Sequence, residues 1–169
     1  SEHIHYTGVF GTEGLKASTA VFFENFLGLR SVKSDHIVIQ SGVSAICESL
    51  SFALFDEGDY ILIPTPYYTG FDHDFTKRFK VKFLQAHLKP EYNFAHDIQS
   101  FKEAYLNSPH QKKVKAILLT DPHNPTGEIL SDEFKTQILD FAKEYDLHII
   151  SDEIYALSQV SHACIILDH

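Results

Sequence analysis

Short apolar runs alternate with amphipathic stretches of helix length, and this alternation constrains the chain more than any other feature. Apolar runs of strand length fall at 36–40, 60–63, 81–85, 114–119 and 147–150. Between them lie 13–27, 44–55, about 68–78, 97–107 and 132–145, each patterned for a helix. Such an order predicts βαβ units and a mostly parallel sheet.

Individual segments sharpen the prediction. In 13–27, Leu15, Thr19, Phe22, Phe23 and Phe26 recur at helical spacing on one face. Gly58 punctuates the chain after 44–55. Asp97 stands near the N-terminus of the helix at 97–107, and Ser131 is placed to cap the helix at 132–145. Val114 to Leu119 is the most apolar run and reads as a central strand. Residues 86–96 read as irregular. The tail from 156 is ambiguous, with 163–167 a candidate strand.

Composition excludes several classes. The 169 residues are 44% hydrophobic and 22% charged, a globular balance. A net charge of −9 opposes a nucleic-acid or anionic-membrane surface, since both partners need a basic face. No apolar run reaches the ~18 residues of a membrane span. The two cysteines, Cys47 and Cys164, supply neither a disulfide framework nor a zinc site, which fits a reducing cytoplasm. The chain contains no Met and begins Ser-Glu-His, so it is expected to be processed or cut from something longer.

Polar punctuation follows the strands at Ser41-Gly42, Pro64 to Tyr68, Thr120 to Gly127 and Asp152 to Tyr155. In an open parallel sheet these loops share the carboxyl edge, where ligands bind. Ser41-Gly42-Val43-Ser44 offers amides at a helix start beside two hydroxyls, a plausible phosphate cradle. Taken by itself, that segment is better explained by an ordinary serine cap after a strand. Tyr67 and Tyr68 are candidates to stack on a flat ligand, although by themselves they read more simply as core or rim tyrosines. Asn124 offers an amide donor within a turn. Asp152 places a carboxylate just past an apolar strand, available to a protonated ring nitrogen, with Tyr155 three residues on; a helix start or a solvated loop is the alternative reading of Asp152-Glu153.

The 11 histidines include His3-x-His5 but lack metal-ligand spacing, so scattered surface positions are the simpler expectation and no metal is assigned. A GxSxG elbow, a GxGxxG fingerprint and a GxxxxGK[ST] loop are all absent. That removes the motif basis for a serine hydrolase or a Rossmann-like nucleotide binder.

Taken in order, SGVSA after a strand, PTPYYTGFDHD, DPHNPTG and SDEIY are far more specific than any one of them. Together they resemble the class I/II aminotransferases, pyridoxal 5′-phosphate (PLP) enzymes of fold type I. PTPYYTGFDHD is particularly similar to 1-aminocyclopropane-1-carboxylate (ACC) synthases and their relatives, whereas NPTG leans back toward ordinary transamination. The resemblance runs over 6–155. It implies a three-layer αβα architecture, with residues 1–169 forming an incomplete large, PLP-binding domain and the small domain absent. By the same resemblance, Val43 and Ser44 would hold the phosphate and Tyr68 would stack on the pyridine ring. Asn124 and Tyr155 would bond the ring's phenolate oxygen, and Asp152 would pair with the ring nitrogen. Tyr6 resembles the tyrosine that reaches the phosphate of a neighbouring subunit. The implied partners are small-molecule substrates, an amino acid and a keto acid, and the full-length protein would be a homodimer.

Two departures accompany the resemblance. The family often has Ala-Thr where this chain has Val43-Ser44. The lysine that the family joins to its cofactor lies well after the SDEIY-like motif, and none of the lysines here fits it. Lys143 falls in a helix and Lys33 precedes the first strand. No catalytic residue is therefore identified. An ACC-synthase-like lyase and a non-catalytic fragment stand as alternative readings.

Overall fold

A computed structural model describes residues 8–158. Tyr6 and the candidate strand at 163–167 lie outside the described residues. The chain divides into two compact units, Ser1–Ile46 and Cys47–His169.

In the first unit, helix α1 spans Glu13–Leu27, as its apolar periodicity predicts. Thr12 caps it by accepting a hydrogen bond from the Leu15 amide at 3.3 Å. Gly28, at φ +70°, ends it in a left-handed turn that a residue with a β-carbon would resist. Its aromatic face is largely exposed, with Phe22 and Phe26 43% and 62% accessible and their rings 5.0 Å apart. The expected strand at 36–40 does not form. Residues Ser34–His36 make a 3-10 turn, Ile37 leaves it extended, and 37–40 join no strand among the described residues. The Ile39 amide donates instead to the Phe10 carbonyl at 3.0 Å. A strand needs a neighbour, and local apolar content does not supply one.

Helix α2, Val43–Leu54, begins in the first unit and continues into the second. The second unit then adds β1 (Tyr60–Thr65), α3 (Phe71–Asp74), β2 (Lys82–His87), α4 (Ile98–Leu106), β3 (Val114–Thr120), α5 (Asp132–Glu144) and β4 (His148–Asp152). The four strands pair in the order β2-β1-β3-β4, and every pairing is parallel. This is the sheet that the βαβ alternation predicts.

One segment is shorter than predicted. The helix expected at 68–78 contracts to Phe71–Asp74. A single turn suffices to bury Phe71 and Phe75 at i and i+4, and the chain leaves it through Lys80 at φ +53°. Strand β2 runs two residues further than expected, to His87, because Pro64 and Thr65 continue the pairing opposite Ala86 and His87.

Packing follows the two-residue period of the strands. Leu62, Ile117 and Leu119 meet Phe101 and Tyr105 of α4 and Phe134, Ile138 and Phe141 of α5, all buried. Residues of the opposite parity, including Phe83, face Phe75, at 6.3 Å between ring centroids. Asp97 caps α4 through the Ser100 amide at 2.8 Å, and Ser131 caps α5 through the Phe134 amide at 3.1 Å. These caps fix where each helix leaves its loop. Among the described residues, no helix is long and apolar enough to cross a membrane.

Candidate functional site

Parallel strands deliver three loops of the second unit to one edge of the sheet. They follow β1, β3 and β4. The register aligns Thr120 with Asp152, and the Asp121 amide donates to the Asp152 carbonyl at 3.0 Å. The loops after β3 and β4 are thereby joined at their roots.

The loop after β3 is closed on itself. Asp121 Oδ1 accepts from the Leu130 amide at 3.1 Å, and Lys135 of α5 pairs with Asp121 Oδ2 at 2.7 Å. The His123 amide donates to the Glu128 carbonyl and the Gly127 amide to the His123 carbonyl, each at 2.7 Å. Asn124 is held within this ring of bonds. Its Nδ2 donates to the Tyr155 hydroxyl at 3.5 Å. The two residues assigned to one oxygen of the ligand thus meet, although 31 positions separate them. They line a cavity of about 360 Å³ together with Pro122, His123, Gly127 and Ile129.

Asp152 ends β4 half-buried. Desolvation raises its carboxyl above the ordinary aspartate value; the Ile154 amide, donating to Oδ1 at 3.1 Å, opposes this, and the Asp74 and Glu153 charges add to it. No ion pair to Asp152 occurs among the described residues, so its charge is uncompensated. Cys47 feels the same carboxylates. Burial first, then Asp74 and Asp152, push its thiol up to about 12, so it stays protonated and inert at neutral pH.

In the loop after β1, the two tyrosines separate in role. Tyr67 donates its hydroxyl to Asp72 Oδ1 at 3.1 Å. Tyr68 is 47% exposed, edge-on to Phe71 at 5.4 Å. Tyr68, Asn124, Asp152 and Tyr155 all belong to the second unit. Val43 and Ser44 open α2 within the first, after Gly42 at φ +95°. Gly42 permits that turn into the helix.

The sequence missed the buried histidines. His96 and His123, expected on the surface, are only 9% and 3% exposed, with ring centroids 4.4 Å apart. Their shared anchor, Glu128, lies 32 residues from His96, a separation no local pattern reveals. Among the described residues, no group of three or more His, Cys, Asp or Glu is arranged to hold a metal ion.

The parallel sheet and its flanking helices define an α/β layer, and comparison gives it a family. The chain belongs to the aminotransferase class I and II family, whose model matches residues 3–161. It is 39% identical over 145 residues to the "Probable aminotransferase ACS12" of Arabidopsis thaliana, covering 84% of this chain and 29% of that protein. It is 35% identical to 1-aminocyclopropane-1-carboxylate synthase 3 of Solanum lycopersicum, covering 86% of this chain and 32% of the relative. Among solved structures, the alanine aminotransferase of Pyrococcus furiosus superposes with a TM-score of 0.77 at 28% identity, over 92% of this chain and 38% of that one. The chain spans about a third of the length of the curated relatives it matches.

Proposed function

We propose that residues 1–169 form part of the large domain of an aminotransferase and contribute side chains to a PLP site at the carboxyl edge of the sheet. The observation that carries this reading is Asp152. A half-buried carboxylate without a cation is costly, and a protonated pyridine nitrogen would remove that cost. The donor set agrees. Asn124 and Tyr155 converge where a phenolate oxygen would accept from both, and the exposed ring of Tyr68 suits stacking on a flat heterocycle. Val43 and Ser44, at the N-terminus of α2 in the first unit, are assigned to the phosphate by resemblance. Tyr6 is assigned to a neighbouring subunit's phosphate by resemblance alone.

PLP, when bound, supplies an electron sink for charge developing beside an amino acid's amino group. This chain's contribution is to bind and orient. Asp152 would hold the proton on the ring nitrogen, Asn124 and Tyr155 would hydrogen-bond the phenolate oxygen, and Tyr68 would stack on the ring. No lysine of the chain is assigned to catalysis. In the full-length protein the reaction proposed is transfer of an amino group between an amino acid and a keto acid, by a cytoplasmic homodimer.

The segment PTPYYTGFDHD and the likeness to an ACC synthase favour a second reading, an ACC-synthase-like lyase. Product analysis of the full-length protein separates the two: keto acid from an amino donor, or ACC from S-adenosylmethionine. Cofactor binding is tested on the chain itself by equilibrium dialysis against PLP. Binding that Asp152→Ala weakens supports the site; equal binding by the parent and Asp152→Ala sinks it.

A further inference from the structure

His96 packs against His123 and Glu128, two residues of the loop that carries Asn124, and no role assigned so far uses these three side chains. Its protonation pattern follows from its partners. Glu128 Oε2 is an acceptor, so His96 Nδ1 carries a proton and donates to it at 2.7 Å. Glu128 also accepts from the His96 amide at 3.1 and 3.2 Å. The Pro66 carbonyl is an acceptor too, so His123 Nε2 carries a proton and donates to it at 2.9 Å. Each ring in its neutral form therefore has one nitrogen without a partner, His96 Nε2 and His123 Nδ1, and both are buried. Burial lowers the proton affinity of each histidine.

Connectivity gives this arrangement its consequence. Pro66 lies two residues before Tyr68, and His123 immediately precedes Asn124. The His123–Pro66 bond is thus a direct tie between the loop after β1 and the loop after β3. His96 and Glu128 hold the far end of that tie. Glu128 receives the His96 side chain, while its own carbonyl receives the His123 amide at 2.7 Å. The His96 ring stands edge-to-face against His123 and at 5.4 Å from Phe134 of α5. A buried polar cluster with two unsatisfied nitrogens is expensive, and an apolar filling would be the cheaper core. What the cluster provides instead is a single fixed separation between two loops.

We propose that His123 is a positioning residue for the cofactor site, setting Tyr68 against Asn124 through its neutral Nε2–H, with His96 and Glu128 holding its loop in place. This rests on the PLP reading given above. A role of this kind requires a donor at the Nε2 position rather than an imidazole as such. Glutamine reproduces that donor, and leucine fills the space without it.

The test compares the chain with His123→Leu, His123→Gln and Glu128→Gln. PLP affinity is measured by equilibrium dialysis, and amide hydrogen exchange is followed at 66–70 and 123–128. The expectation is that His123→Leu weakens PLP binding about tenfold, the worth of one buried hydrogen bond. Exchange should rise in both loops together, and His123→Gln should restore both readouts. In an Asn124→Ala background, His123→Leu should cost less affinity than it does in the parent, because part of its effect passes through that residue. Parent affinity together with unchanged exchange in His123→Leu overturns the proposal, as does exchange that rises in one loop alone. If His123→Leu does not fold, His123→Gln and Glu128→Gln carry the test. His123→Gln should match the parent in both readouts, Glu128→Gln should loosen 123–128, and failure of either overturns the proposal. If the parent binds no PLP, the cofactor reading fails while the exchange comparison still decides whether His123 couples the loops.

Discussion

The ring of Tyr68 lies over Gly70 so closely that a β-carbon built on Gly70 would fall 2.2 Å from Tyr68 Cε1 and 2.6 Å from its hydroxyl oxygen. Gly70 sits in ordinary right-handed backbone, so glycine is required there by space rather than by torsion. Gly70→Ala is therefore expected to displace the tyrosine ring and leave the main chain in place. PLP affinity should fall about two- to tenfold, the range of an aromatic stacking contact. The thermal midpoint should hardly move. Dialysis and a melting curve on the same sample check both halves.

At Asp152 the proposed cofactor role works against stability. Its folded carboxyl titrates above the unfolded value of 3.8, because burial disfavours the charge. The native state therefore binds more protons than the unfolded chain across that window, and stability falls as pH rises through it. At neutral pH the whole penalty is present. Asp152→Asn removes the charge and keeps an acceptor for the Ile154 amide. The variant should melt higher than the parent at pH 7 and bind PLP more weakly. A lower melting point at pH 7 would show that the carboxylate is not a burden in the free chain.

His123 predicts the opposite slope at mild acidity. Its folded value is lowered from 6.5 to about 4, first by burial and then by the neighbouring His96, against the pull of Glu128 and Asp121. Between those limits the unfolded chain binds the extra proton, so stability rises with pH across the window and is lost as pH falls toward 4. The effect amounts to about 3 kcal/mol at most. Urea melts of the chain and of His123→Gln from pH 4 to 7 should differ in slope, with the flatter profile in the variant.

These histidines also show where sequence reading stops. Helices α1 and α5 are legible because apolar spacing and caps are local, and Thr12 and Ser131 cap where residue type suggests. The strands β1, β3 and β4 are legible because each is an apolar run bounded by polar loops. The run at 36–40 has the same look without becoming a strand, since a strand is defined by its neighbour. The one-turn α3 is equally hidden, because Phe71 and Phe75 fit a longer helix as well as a single turn. Asn124, Asp152 and Tyr155 can be placed at one edge from the sequence, because parallel connectivity sends every strand-end there. That His123 reaches Pro66, 57 residues away, depends on tertiary packing alone.

The cap of α5 gives a simple control on the loop beside the site. Ser131 Oγ accepts from the Phe134 amide, and Phe134 is itself 3% exposed in the core. Ser131→Ala should cost about 1 kcal/mol. It should leave PLP binding unchanged, since Asp121 and Lys135 still close the loop independently. Denaturant unfolding followed by far-UV circular dichroism reads the loss.

The pairing of Thr120 with Asp152 makes the charge at the sheet edge a matter of counting. Side chains alternate faces along a strand, so a slip of one residue between β3 and β4 would turn Asp152 to the opposite face. Ser151 or Glu153 would then stand in its place, presenting an uncharged hydroxyl or a longer acid. Ile149 would lose its seat against the α4 and α5 side of the core in the same movement. The mispaired state is therefore penalised by hydrophobic packing before any ligand is present. Selection for a stable core and selection for the correct acid act on one integer, the strand offset, and neither can drift without the other.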